Sequence, residues 1–463
     1  MIKFQISSNW LQTSRARQIC ATISCYISAI FASICFSWLS PYSLKLTSGE
    51  NKLFTKSQMA FLISVMEFGS IAACIPAGIM ADRYGRKRVL LYCGILAAAV
   101  WLITTFTKHI VVLYIARLIQ GGCLASVEIV APVYIAEISG ANRRGTLGGY
   151  YAVFWYFGTL VAFIISDFLS FEIYTLSLIS FPLLFFITLT FIPETPYYYL
   201  MKNKAVDAKE SLQWLRYGED IEEEYKEMEK AVREDMKNAG SWKDLVATKK
   251  DRRALFIALI ACLARYLVGM GTVSAFAEDI FAEAGQFWFT ANQQSICLAL
   301  VFTLSTSVAS HFSDTVGRRK LLIYSLIGTA ISNATVAVYF GLLQLTSLKV
   351  IPYVWIMYVG IFGFCFFTSI GLGQLVPTIK AEFFPSHTRS KGGAFLNLMA
   401  ATAVFAQMYT FPIITAEIGM YFNFLLFGIV AVIGCIFVTI YIPESAGKTL
   451  TEVNQTVKAI TSR

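Results

Sequence analysis

The chain has 463 residues, 56% hydrophobic and 14% charged, with a mean hydropathy of +0.61. A soluble domain carries about 25% charged residues, so composition excludes that class and points to an integral membrane protein. The net charge of +9 does not mark a nucleic-acid surface, because Lys and Arg sit in short gaps between apolar runs, where they set orientation.

The first residues, 1–17, are polar and basic and read as a cytosolic N-terminus. The apolar run after them is too long for a signal sequence. About 20 apolar residues cross a bilayer, and by that measure twelve helices are expected, at 18–41, 57–81, 89–107, 111–136, 145–166, 173–192, 254–282, 290–312, 321–343, 351–380, 390–414 and 418–442. Basic clusters at Arg15 and Arg17, Arg83 to Arg88, Arg143 and Arg144, Arg318 to Lys320, and Arg389 and Lys391 fall in every second gap, which places those gaps and both termini in the cytosol. The Asn-x-Ser/Thr matches at Asn333 and Asn454 fall in a span and in the tail, where neither is a usable glycosylation site.

The predicted fold is therefore all-α: two six-helix bundles, 18–200 and 252–442, joined by a helical cytosolic linker, 201–251, and followed by a cytosolic tail, 443–463. In the linker, Val206, Leu212 and Leu215 interleave with charge at helical spacing, and 220–237 is a dense mixture of Glu and Lys. All ten cysteines lie in apolar runs without a Cys-x-x-Cys pair, so neither a disulfide framework nor a metal site is indicated.

The halves repeat one another. Asp82 and Asp314 each head a D-x-x-G-R pattern 232 residues apart; Glu137 and Glu382, 245 apart, are each followed seven residues later by an Arg, Arg144 and Arg389; Pro-Glu pairs ending at Glu194 and Glu444, 250 apart, close each half. Each half thus brings acidic and basic side chains to the cytosolic face: Asp82, Arg86, Glu137, Arg144 and Glu194 from the first, Asp314, Arg318, Glu382, Arg389 and Glu444 from the second. Charge-assisted hydrogen bonds among them would form a gate network, joined by Arg117 if it snorkels to that face. The plainer alternative is that these are orientation markers and helix-end stabilisers.

The series GIMADRYGRK, ARLIQGG, PVYIAE, RRGTLG, PETPYYYL, DTVGRRK, AEFFPSHTR and PESAGKTL resembles the signature series of the sugar porter family in the major facilitator superfamily. FSWLSP at 36–41 and the final PESAGKTL are most similar to the insect trehalose and hexose facilitators. The resemblance implies the major facilitator fold, alternating access and a sugar site between the bundles at mid-membrane. It also implies sugar ligands that this chain replaces. The seventh-helix pattern Q-Q-x-x-G-x-N reads RYLVGMG here, with Arg265 and Tyr266 for the Gln pair, Gly269 retained and Gly271 for the Asn. Ala152, Pro377, Ala400 and Ala401 stand where the family offers a Gln, a Trp and an Asn-Trp pair. Tyr150, Tyr151, Trp155, Tyr156 and Gln374 could rebuild a polar aromatic pocket, although aromatic residues so spaced also serve plain helix packing.

The expected substrate-binding residues are thus Arg265, Tyr266, Gly269, Gln374, Tyr151 and Trp155. Arg265 lies about eleven residues, roughly 16 Å, into its span, and Glu67 and Glu128 fall at similar depth. A charge there needs a partner or a function. Either Arg265 pairs with Glu128 or Glu67, or it faces the cavity and binds a polar or anionic substrate group. Proton-coupled members of the family resemble one another in a first-helix carboxylate, and 18–41 has none, so facilitated diffusion is expected.

The leading expectation is a monomeric plasma-membrane transporter of trehalose or a hexose, with a small polar solute and the bilayer as its partners and no nucleic acid. The alternatives are transport of an organic anion or another polar metabolite through Arg265, and a non-transporting sensor, against which the short tail counts. No nucleotide loop is present and the three His are scattered, so neither an enzyme, nor ATP drive, nor a cofactor is expected.

Overall fold

The computed structural model describes residues 13–48, 52–140, 144–237, 241–285, 289–312, 317–373, 375–376 and 388–442. The first half contains α1 (Ser14–Ser37), a short α2 (Ser43–Thr47), α3 (Lys56–Tyr84), α4 (Arg86–Phe106), α5 (Ile110–Ile138), α6 (Arg144–Phe168), and α7 (Phe171–Leu178) continued by α8 (Ser180–Thr190). Next come α9 (Pro196–Met201), α10 (Ala205–Leu215) and α11 (Glu222–Lys237). The second half contains α12 (Lys249–Leu267), α13 (Met270–Ala275), α14 (Ala277–Ala284), α15 (Ala291–Phe312), α16 (Arg318–Leu345), α17 (Val354–Thr368), α18 (Arg389–Glu417) and α19 (Met420–Tyr441). Eleven helical stretches among the described residues are long and apolar enough to cross a membrane, and α15 holds the remaining place. The protein is an all-α, multi-pass membrane protein of two six-span bundles.

Two spans expected to be continuous are broken. Pro182 has no N–H for the carbonyl four residues before it, and the sixth span divides there into α7 and α8. The seventh stops at Gly269, whose φ of 99° lies in the left-handed region that only glycine enters without cost; α13 and α14 follow as separate short pieces.

Helix starts follow local chemistry. Thr55 and Gln58 cap α3 reciprocally, and Thr248 and Asp251 do the same for α12. The repeated turn is visible in the backbone: Gly85, between α3 and α4, has φ 109°, and Gly317, before α16, has φ 92°. A Cβ on Gly85 would stand 2.2 Å from Glu194 Oε2, so the glycine of the first D-x-x-G-R pattern serves both the turn and the close approach of a carboxylate.

Large apolar side chains such as Phe68, Ile95, Phe106, Ile187, Val359 and Ile436 are exposed along the spans, as surfaces bathed in lipid are. The halves meet where α3 packs on α18 and α6 on α15. In the linker, α10 buries Ala208, Ser211, Leu212 and Leu215; Ala208 and Leu212 form a small core with Leu200, Tyr225 and Val232, while Leu215 joins the core of the bundle. Val206 does not join it and is 73% exposed, because it falls two residues before Ala208 and so about 200° round the helix.

Candidate functional site

Arg86, the first residue of α4, is 4% exposed. It pairs with Asp82 at 3.0 Å and Glu137 at 3.1 Å, and donates to the Ala81 carbonyl at 3.3 Å. Glu137 also accepts from Thr195 Oγ1 at 2.6 Å. The Glu194 carboxylate accepts from the backbone N–H groups of Lys87, at 3.0 and 3.1 Å, and of Thr195, at 3.0 Å. Burial raises the Glu194 carboxyl above its usual range, while these N–H bonds pull it back. Arg216, the residue just after α10, extends the cluster, pairing with Glu224 at 2.8 Å and donating to the Ile138 carbonyl at 3.2 Å. These bonds tie α3, α4, α5, α9 and α10 into one block within the first half. Of the second-half counterparts, Asp314, Glu382 and Glu444 lie outside the described residues, as do the side chains of Arg389 and, in the first half, Arg144; Arg318 begins α16.

Arg117 does not join this cluster. It shares α5 with Glu137 but lies twenty residues earlier, about 30 Å along the axis, beyond any snorkelling reach. It is 1% exposed. It donates to the Cys35 carbonyl, to Leu62 O at 3.1 Å, to Ile63 O at 3.4 Å and to Gln120 Oε1 at 3.3 Å. Gln120 Oε1 also accepts from Trp38 Nε1 at 3.2 Å, so the tryptophan of FSWLSP sits in a polar core that pins α1, α3 and α5 together at the far end.

At that far end the halves touch through hydrogen bonds. Ser43 Oγ donates to Asp279 at 2.8 Å, the Leu44 N–H donates to Glu278 at 3.4 Å, and Asn292 donates to Asp167 at 2.9 Å. At mid-depth the Tyr156 hydroxyl lies 3.5 Å from Met270 Sδ, and its ring stacks on Phe302 with centroids 5.0 Å apart.

Arg265 sits in the last turn of α12, with its guanidinium 5.3 Å from the Tyr266 ring centroid. It makes no ion pair with Glu128 or Glu67 among the described residues, and its buried Nε has no hydrogen-bond partner. The Tyr151 hydroxyl is likewise buried without a partner. Trp155 packs against Phe36 at 6.3 Å, and a Cβ on Gly271 would touch the same Phe36 ring at 3.5 Å. Through Phe36 the structure brings Trp155 against the start of α13 in the other half, whereas Gly269 packs on Phe427 within its own half. Gln374 and Pro377 lie outside the described residues, and Ala400 and Ala401 are buried.

The family model described as sugar (and other) transporter matches residues 12–457. The chain belongs to that family. It is a membrane transporter, not an enzyme. It is 27% identical over 404 residues to the facilitated trehalose transporter Tret1 of Bombyx mori, covering 86% of this chain and 79% of that one. With Tret1 of Anopheles gambiae it is 26% identical over 95% of this chain but only 56% of that longer protein. Its fold matches the proton:xylose symporter XylE bound to 6-bromo-6-deoxy-D-glucose, with a TM-score of 0.78 at 18% identity over 96% of this chain and 99% of that one.

Two amides that bond the α12–α13 break, Gln407 and Asn333, are not among the residues the sequence points to for this role. Gln407 of α18 accepts from Thr272 Oγ1 at 2.7 Å and donates to the Leu267 carbonyl at 2.8 Å, so one amide bridges the two sides of the α12–α13 break. Asn333 Nδ2 reaches the Val268 carbonyl at 3.5 Å from a fully buried position. The signal available was an amide standing alone in an apolar span, which is costly there unless it is paired.

Proposed function

We propose that this transporter carries a sugar, trehalose or a hexose, across the plasma membrane by facilitated diffusion through alternating access, as a monomer with both termini in the cytosol. The observation that carries the reading is the placement of the bonds between halves. Ser43, Leu44 and Asn292 hold the halves together at the end opposite the Asp82 turn, the end the charge pattern assigns to the outside. Each such bond to a carboxylate is worth about 1.5–3 kcal/mol net, small enough to be exchanged for contacts elsewhere as the halves rock about a central site. The rigid Arg86–Glu137–Glu194 block supports a first half that moves as one body.

The names of the Bombyx and Anopheles relatives support trehalose. α1 carries no Asp or Glu, which supports diffusion without a coupling carboxylate on that helix. An organic anion, which Arg265 alone would suit, is disfavoured because Glu128 shares the same region.

Uptake of labelled trehalose, glucose and a panel of organic anions into vesicles containing the purified protein tests this. Uptake of at least one sugar is expected, rising only to the outside concentration and unaffected by a pH gradient. Flux of an anion with neither sugar carried would overturn it.

A further inference from the structure

The seventh span is two rods joined at a glycine. α12 ends at Leu267, and α13 starts at Met270 behind Gly269, whose φ is 99°. A helix interrupted within a span leaves carbonyls without their N–H partners, and neighbouring helices must supply donors. Asn333 of α16 supplies one to Val268 at 3.5 Å, and Gln407 of α18 supplies one to Leu267 at 2.8 Å. Gln407 also reaches past the glycine: its Oε1 accepts from Thr272 Oγ1 at 2.7 Å. Other threonines in the spans, such as Thr104, Thr368, Thr402 and Thr410, donate to the carbonyl four residues before them. Thr272 is fully buried and spends its hydroxyl on another helix instead.

Beyond the joint, α13 and α14 end on the first half, where Asp279 accepts from Ser43 at 2.8 Å and Glu278 from the Leu44 N–H at 3.4 Å. Against α18 the same segment also makes apolar contacts. A Cβ on Gly271 would meet Met408 at 3.5 Å and Val404 at 3.7 Å, and the Phe276 ring stacks on Phe411 with centroids 5.1 Å apart. Apolar burial is non-directional and tolerates sliding, whereas a hydrogen bond fixes a distance and an angle. The Gln407 amide is therefore the contact that sets the angle between the rods.

Resting on the alternating-access reading, we propose that Gln407 is a positioning residue for the transport step. Its amide, fixed by the Leu267 carbonyl, latches α13 at the angle that keeps α14 on the first half, and the Thr272 bond is released when that end opens. Asn333 caps the same break without spanning it and is no part of the latch.

Three variants in proteoliposomes test it. Thr272→Val removes the hydroxyl and leaves the Leu267 cap, Thr272→Ser keeps the hydroxyl, and Gln407→Leu removes both bonds. A released latch raises the fraction open to the outside, so sugar offered there half-saturates at a lower concentration, while the harder closing step lowers the maximal rate. Thr272→Val is expected to lower both by about threefold to tenfold, the scale of one neutral hydrogen bond. Thr272→Ser should keep the wild-type values, and adding Thr272→Val to Gln407→Leu should change neither value further. Hydrogen exchange of residues 270–284 in the detergent-solubilised protein, read by mass spectrometry, should rise by a similar factor in Thr272→Val and stay unchanged in α5. A maximal rate that falls at unchanged half-saturation, exchange that rises equally in α5, or wild-type behaviour of Thr272→Val overturns the latch while leaving a carrier in place. Wild-type protein that moves no sugar overturns the carrier reading itself, and the latch with it.

Discussion

Arg86 and Arg265 are two arginines enclosed by the same chain with opposite provisions. Arg86 has two carboxylates and a carbonyl around it, and every neighbour belongs to its own half. Arg265 has an aromatic face and an unpaired Nε. Evolution can hold a saturated charge as structure. An unsaturated one is expensive in a membrane, and a functional role is the default hypothesis for it. The difference separates a charge held within one block from one whose donor is left over.

The largest effect on stability is expected from Arg117→Met, an extreme case of the saturated kind. It strands acceptors at Cys35, Leu62 and Ile63, each costing about 1–3 kcal/mol, so little folded protein should be recovered by size-exclusion chromatography. Full recovery would show that these carbonyls do not depend on it. Next comes Glu137→Gln, which removes one of the two carboxylates on Arg86; a loss of about 1.5–3 kcal/mol should appear as a lower Tm in detergent. An unchanged Tm would place Arg86 among the unsaturated charges and erase the contrast.

A smaller loss, about 1–2 kcal/mol, is expected for Gln407→Leu, because two hydrogen bonds at the α12–α13 break disappear. Uptake should fall with it, since the break positions Arg265. The smallest effect belongs to Val206→Ser on the exposed side of α10, within about 0.5 kcal/mol, whereas Leu212→Ala in the linker core should cost about 2–5 kcal/mol. Comparable Tm shifts for the two would refute the assigned faces of that helix.

Much of this contrast could be read from residues alone, though unevenly. Asp82, Arg86, Glu137 and Glu194 announced themselves by repetition between halves, and the structure joins them. The bounds of α10 also followed from spacing, because a short amphipathic helix has only one way to hide Leu212 and Leu215. Arg117 was misplaced for want of one multiplication, since the rise of α5 already separates it from Glu137 by about 30 Å. The Gly269 break was hidden by a span whose composition is as apolar as its neighbours, and the partner of Gln407 is a backbone carbonyl, which no pattern of side chains can reveal.

The most direct test of the central contrast is to purify Arg265→Gln and measure its unfolding temperature and its uptake of neutral sugar on one preparation. The account predicts a Tm equal to or above that of the wild type, because the unpaired Nε is removed, with uptake lowered by about tenfold or more. A Tm that falls in step with uptake would make Arg265 a structural charge like Arg86 and contradict the account.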